Sequence, residues 1–255
     1  MASARDNELR ALSHIQDFIR RAKGLIEEIK VEHLFEEGGL NPYLVAALGI
    51  DSIEDVVELF VYRRVERSLG TSFGNVIEAF LRDLLGGRSG KEIDPKCRQE
   101  RSVSKPWICW WDIVLSAQVE KGGKKYRGIV ISVKSGPADF NKDIVERFIQ
   151  HAKEAEEHEY KPYLVLTYGK KVFTVAESTL KAWGLDPKEY LLVGREVFKE
   201  FLQDPNYYDR VIELMRSVSG EIDIFGLIQN KIRELTEELT KRYGNDVTRL
   251  LKDLS

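Results

Sequence analysis

The chain has 255 residues, of which 43% are apolar and 32% charged, with a formal net charge of −3. That length suits one large domain or two small ones with a substantial core, and that charge supplies no global basic field, so any nucleic-acid contact has to sit in a local cleft. Cys97 and Cys109 are too few for a disulfide framework and lack metal-ligand spacing; with no signal-like N-terminus and no bilayer-length apolar run, a cytoplasmic location is expected.

From the N-terminus, residues 6–30 place Leu9, Leu12, Ile15, Ile19 and Ile26 at helical spacing. A short helix opens at Asn41-Pro42, with proline at its first position. Asp51 and Ser52 cap a further helix expected to end at Gly70, and another is expected from about Ser72 to Leu85, stopped by Gly86-Gly87. Residues 88–106 lack apolar periodicity and read as a basic loop.

The segments WICWWDIVLSAQVEK and KKYRGIVISVKSG flank Gly122-Gly123 and are rich in β-branched and aromatic residues, which predicts a hairpin. ADFNKDIVERFIQHAKEAEEHE predicts a helix, KPYLVLTYG a buried strand, VAESTLKAWGL a helix and EYLLVG a strand. Three helices follow to the C-terminus, the last of them charge-laced and amphipathic. The order predicts an α/β fold with a central mixed β-sheet flanked by helices, plus N- and C-terminal helical additions. The expected regions are residues 1–70 (helical), 71–205 (core) and 206–255 (helical), together one compact unit.

Alternation along strands places Ser132 and Lys134 on one side of their strand and Asp112 on one side of its own. Pairing around Gly122-Gly123 brings Asp112 toward Lys134. A carboxylate and an ammonium at neighbouring strand ends suit phosphodiester hydrolysis, the acid holding Mg2+ and the lysine stabilising charge. Further acids are Asp139, Asp143 and Glu146 on the helix after Lys134, and Glu78 upstream, between apolar Ile77 and Phe80.

The set Glu78, Asp112, Lys134 and Glu146 resembles the active site of type II restriction endonucleases of the PD-(D/E)xK superfamily. The usual acid two residues before the lysine is replaced here by Ser132. In that respect the chain resembles the branch that cuts CCGG- and CCNGG-like sites, where a glutamate about twelve residues after the lysine takes the acid's place; Glu146 has that spacing. Trp111 stands where the family's proline precedes the aspartate, and the branch's Arg-acid-Arg reading motif is not found after Lys134. The resemblance covers residues 72 to 168. It implies a PD-(D/E)xK core, Mg2+ held by Asp112 and Glu146, Lys134 at the scissile phosphate and Glu78 tuning the site. It also implies double-stranded DNA as substrate, a homodimer, and a cognate methyltransferase in the same restriction-modification system.

Candidate DNA contacts are Ser135, Asn141 and Lys142 around the helix start, and Arg98, Arg101 and Lys105 in the basic loop. Asn141 reads equally as a helix cap. Trp110 and Trp111 are expected in the core. Ser132 also fits an alternative reading, a non-catalytic DNA-binding protein with a decayed nuclease core. A repair or junction-resolving nuclease of the same superfamily is the alternative within the enzyme class.

Overall fold

The computed structural model describes residues 4–36, 39–98, 105–136, 141–169, 174–220 and 222–254. The chain divides into two compact units: residues 1–15 with 74–217, and residues 16–73 with 218–255.

The first unit is built on a four-stranded mixed sheet, in the order β1-β4-β5-β6, flanked by helices. Strand β1 (Ile113–Leu115) runs antiparallel to β4 (Gly128–Lys134), while β5 (Tyr160–Leu166) and β6 (Leu191–Val193) continue in parallel. Near-continuous apolar runs suit β4 and β5, because a strand covered on both faces has little use for alternation. Between β1 and β4, strands β2 (Val119–Lys121) and β3 (Lys124–Tyr126) form a hairpin of their own. Its turn is Gly122-Gly123, both at positive φ (57° and 76°), as a two-residue hairpin turn requires.

Helix α5 (Lys142–Glu157) lies between β4 and β5 in sequence and buries Val145, Phe148, Ile149, Ala152 and Ala155. These pack with Val114, Val130, Leu164, Leu166, Leu191 and Val193, all on one face of the sheet, and with Ala176 and Leu180 of α6 (Thr174–Ala182). Asn141 caps α5, its side chain accepting from the Ile144 amide, which gives the capping reading of this residue. Short helix α7 (Pro187–Tyr190) leads into β6, followed by α8 (Arg195–Leu202) and α9 (Tyr207–Ser219).

The second unit is helical. Its core joins residues of α1 (Ala4–Glu27), α2 (Pro42–Ala47) and α3 (Ile53–Leu84) to residues of α10 (Ile224–Tyr243) and α11 (Val247–Asp253). Val45, Val56, Phe60, Val61, Leu235, Leu239 and Leu250 lie at its centre. The two terminal helical regions therefore share one core, because each carries an apolar stripe that the other covers. The boundaries fall at 73/74 and 217/218 instead of near 70 and 205.

Three local expectations are corrected. The helix break at Gly70 does not occur; α3 is continuous for 32 residues. The hydroxyls of Thr71 and Ser72 donate to the carbonyls of Arg67 and Ser68 one turn back, and a single helical glycine costs only about 1 kcal/mol. The basic stretch contains helix α4 (Gly90–Ile93), held by a Ser89/Glu92 capping box, and a 3-10 turn (Pro95–Arg98). Cys97 and Cys109 form a disulfide, since that turn and a second one (Trp107–Trp110) bring their Cα atoms to 5.2 Å, within bonding range. Disulfides are commonest in oxidising compartments and in intracellular proteins of hyperthermophiles. Among the described residues no helix is long and apolar enough to cross a membrane.

Leu164 is fully buried between sheet and helix. Leu164→Ala is expected to destabilise the protein by about 2–5 kcal/mol, read as a lower midpoint in urea denaturation with an unchanged slope.

Candidate active site

The register of β1 on β4 pairs Ile113 with Ile131, which sets Asp112, the residue before β1, opposite Ser132. The Asp112 amide donates to the Ile131 carbonyl, 3.1 Å, so the ladder extends one residue past the strand. The side chain is fixed as well: Asp112 Oδ2 accepts from the Val133 amide at 2.7 Å and from Ser132 Oγ at 3.3 Å. Ser132 thus holds the acid of the neighbouring strand instead of supplying one. Lys134 is the last residue of β4, its carbonyl accepting from the Thr167 amide at 3.1 Å.

Glu78 reaches the same place from α3. Its carboxylate is half-buried and pairs with Arg82 one turn on, at 3.7 Å. Burial, then repulsion by the Asp112 carboxylate, raises the Glu78 pKa to about 7, against the opposing pull of Arg82, Lys134 and Lys91. Asp112 is likewise raised by burial, and Lys134, the Val133 amide, Ser132 and Lys91 oppose that shift. Two carboxylates that each sense Lys134, one of them raised by the other, form a single electrostatic cluster.

Glu78 and Lys134 line a cavity of about 410 Å³, and Asp112 is hydrogen-bonded to Ser132 and Val133 of its wall. Gly74, Asn75 and Glu78 of α3 line it, as do Ser132, Lys134 and Ser135 at the end of β4 and Trp110 and Trp111 before Asp112. Helix α5 contributes Ile144, Arg147, Phe148 and His151. A Cβ at Gly136 would overlap the Tyr168 ring, so the chain leaving the site needs glycine there.

Lys134, Glu78 and Ser135 line the cavity, and Asp112 joins them through hydrogen bonds to the lining residues Ser132 and Val133 without lining it; among the described residues Glu146 is not part of the lining. It pairs with Lys142 across one turn at 3.4 Å. The physical reason is helical phase. The cavity-facing stripe is 144, 147, 148 and 151, and Glu146 lies about 200° around the helix from Ile144. Lys142 is exposed and engaged by Glu146, while Arg98 and Lys105 are exposed on the chain leading to the site. Arg101, Pro137 and Asp139 lie outside the described residues.

The aromatic and basic wall was not anticipated from the sequence. Trp111 is buried at 3% exposure, as expected, but Trp110 is 44% exposed. Trp110 stacks on His151 with ring centroids 3.8 Å apart. Burial pushes the His151 pKa down, against the pull of Glu154 3.6 Å away, which favours a neutral ring at pH 7. The signal was available: Arg147 and His151 share the i, i+3, i+4, i+7 stripe with Ile144 and Phe148, where a purely structural helix carries apolar residues.

Among the described residues no group of three or more His, Cys, Asp or Glu gathers as a metal cage. Asp112 and Glu78 nonetheless fit Mg2+, which binds through one or two carboxylates plus phosphate and keeps several waters. Among the described residues, the side-chain hydrogen bonds to Asp112 use Oδ2. The mutual repulsion of the two acids is what a bound cation relieves. Protein-family models give no match to this chain, and no curated protein matches its sequence.

A carboxyl raised in the fold binds its proton more tightly than in the unfolded chain, so its contribution to stability is present below pH 4.5 and lost as pH rises to about 7. The protein is expected to lose denaturant resistance between pH 5 and 8, and Glu78→Gln to flatten that loss. Parallel profiles for the two proteins would contradict the shared-charge description of the site.

Proposed function

We propose that the first unit is a PD-(D/E)xK-type nuclease core, and that the chain is a Mg2+-dependent type II restriction endonuclease acting on double-stranded DNA. The observation that carries this reading is that Glu78 and Lys134 line one cavity while Asp112, hydrogen-bonded to the lining residues Ser132 and Val133, interacts electrostatically with both. Mixed charge of this kind matches a phosphodiester, whose non-bridging oxygens need cations while its hydrolysis needs an activated water.

Asp112 and Glu78 would hold the ion, which when bound supplies Lewis-acid stabilisation of the phosphate and a more acidic water. Asp112 reaches this role already oriented, since the Val133 amide and Ser132 hydroxyl fix its plane. Lys134 stabilises charge developing on the phosphoryl oxygens. Arg147 and the exposed face of Trp110 give the substrate a basic and an apolar surface beside that point. Cutting both strands of a palindrome calls for two copies of the chain related by a two-fold axis.

In this reading Glu78 has the metal role that the resemblance gives to Glu146. Asp112→Asn, Lys134→Ala and Glu78→Gln are each expected to lower cleavage of plasmid DNA by about two to three orders of magnitude. Glu146→Gln is expected to cleave within a few-fold of the parent. Discrete bands from the parent mark site specificity, and full cleavage by folded Asp112→Asn protein would overturn the assignment. A cleavage defect in Glu146→Gln as deep as that of Asp112→Asn would return the metal role to the helix glutamate.

A further inference from the structure

The second unit carries a charge cluster that the cleavage chemistry does not use. A cavity of about 410 Å³ there is lined by Gly39, Leu40, Phe60, Arg63, Arg64, Arg67 and Ser68. Residues 60, 63, 64, 67 and 68 are one face of α3, spaced i, i+3, i+4, i+7 and i+8. Phe60 opens this face as a buried core residue, at 3% exposure. The apolar stripe continues through Val61, Val65 and Leu69, and beside it the next turns present three guanidiniums, Arg63 and Arg67 exposed and Arg64 half-buried.

Like charges one turn apart on a helix repel, and among the described residues no carboxylate lines this cavity to offset them. Among the described residues none of the three arginines has an ion-pair partner. Some arginines elsewhere are paired, Arg195 with Asp209 and Arg210 with Glu8. The cluster also consists entirely of arginine, with no lysine, which favours a planar, bidentate oxyanion over a diffuse negative field. Concave shape, uncompensated charge and side-chain type point to the same ligand chemistry.

We propose that Arg63, Arg64 and Arg67 form a phosphate-binding site for the sugar-phosphate backbone of nucleic acid. The site rests on the DNA reading given above for the identity of its ligand. It is a sequence-independent contact, since guanidiniums on phosphate neutralise charge and release counterions without reading bases.

The test uses the full chain carrying Asp112→Asn, so that DNA stays intact, and a fluorescent 30-base-pair duplex followed by anisotropy over a series of salt concentrations. Adding Arg63→Ala, Arg64→Ala and Arg67→Ala together is expected to lower the slope of log affinity against log salt by about two to three. Affinity at 150 mM salt is expected to fall about ten- to a hundredfold, and replacing the same three with lysine to restore the slope. If the alanine protein melts early by circular dichroism, single Arg63→Gln and Arg67→Gln variants replace it, each lowering the slope by about one. A duplex bound with the parent's affinity and slope by folded alanine or glutamine variants overturns the arginine site and leaves the nuclease reading standing. No duplex binding by the Asp112→Asn parent or by the unmutated chain overturns both.

Discussion

The bond from the Val133 amide to Asp112 Oδ2 is the constraint on which the site depends. It extends the β1–β4 pairing from backbone to side chain just where the ladder ends. A buried carboxylate is costly unless hydrogen-bonded, and here the two donors that satisfy it come from the strand that ends in Lys134. Orientation of the acid and placement of the lysine are thus one event. The strand pairing that builds the sheet also assembles the charged pair. Serine at position 132 has a positive role in this arrangement: a carboxylate there would face Asp112 directly and repel it.

The remaining charges follow from that placement. Burial raises the Glu78 carboxyl, and the fixed Asp112 charge raises it further, to about 7. Lys134, Arg82 and Lys91 moderate the two acids without removing the shift of either. A site in this condition binds a proton or a metal cation more readily than it stays fully ionised. The apolar neighbours Trp110, Trp111, Ile144 and Phe148 sharpen the effect by thinning the water around the charges.

The approach of Asp112 to Lys134 was legible in the sequence because side chains alternate along a strand, but the Gly-Gly turn closes the separate β2–β3 hairpin, and the β1–β4 register differs from it by one residue. The resemblance places Glu146 at the site through a twelve-residue spacing, while helical phase decides which way such a residue faces. An acid at 143 or 146 faces a cavity or solvent according to the phase of the apolar stripe, and Val145, Phe148, Ile149 and Ala152 set that phase. Trp110 was read as core because tryptophan is usually buried. A 3-10 turn before β1 places it outside while Trp111 goes in, and no periodicity announces such a turn. The shared core of the two terminal helical regions was out of reach for a different reason. Complementarity between stripes some 150 residues apart in sequence is a tertiary property, invisible to any local window.

Both charge clusters have the same physical form. Near Asp112 the like charges are negative and half-buried; on the Arg63–Arg67 face of α3 they are positive and line a concavity. A fold gains nothing in stability by gathering like charges: near Asp112 burial and repulsion raise the carboxyls, and neighbouring guanidiniums on one helix face repel. Clusters of this kind are therefore better explained by a ligand than by packing. A nucleic-acid backbone accompanied by its divalent counterion carries charge of both signs, the metal complementing the carboxylates and the phosphates complementing the arginines. In the proposed nuclease reading, one ligand class would account for both clusters.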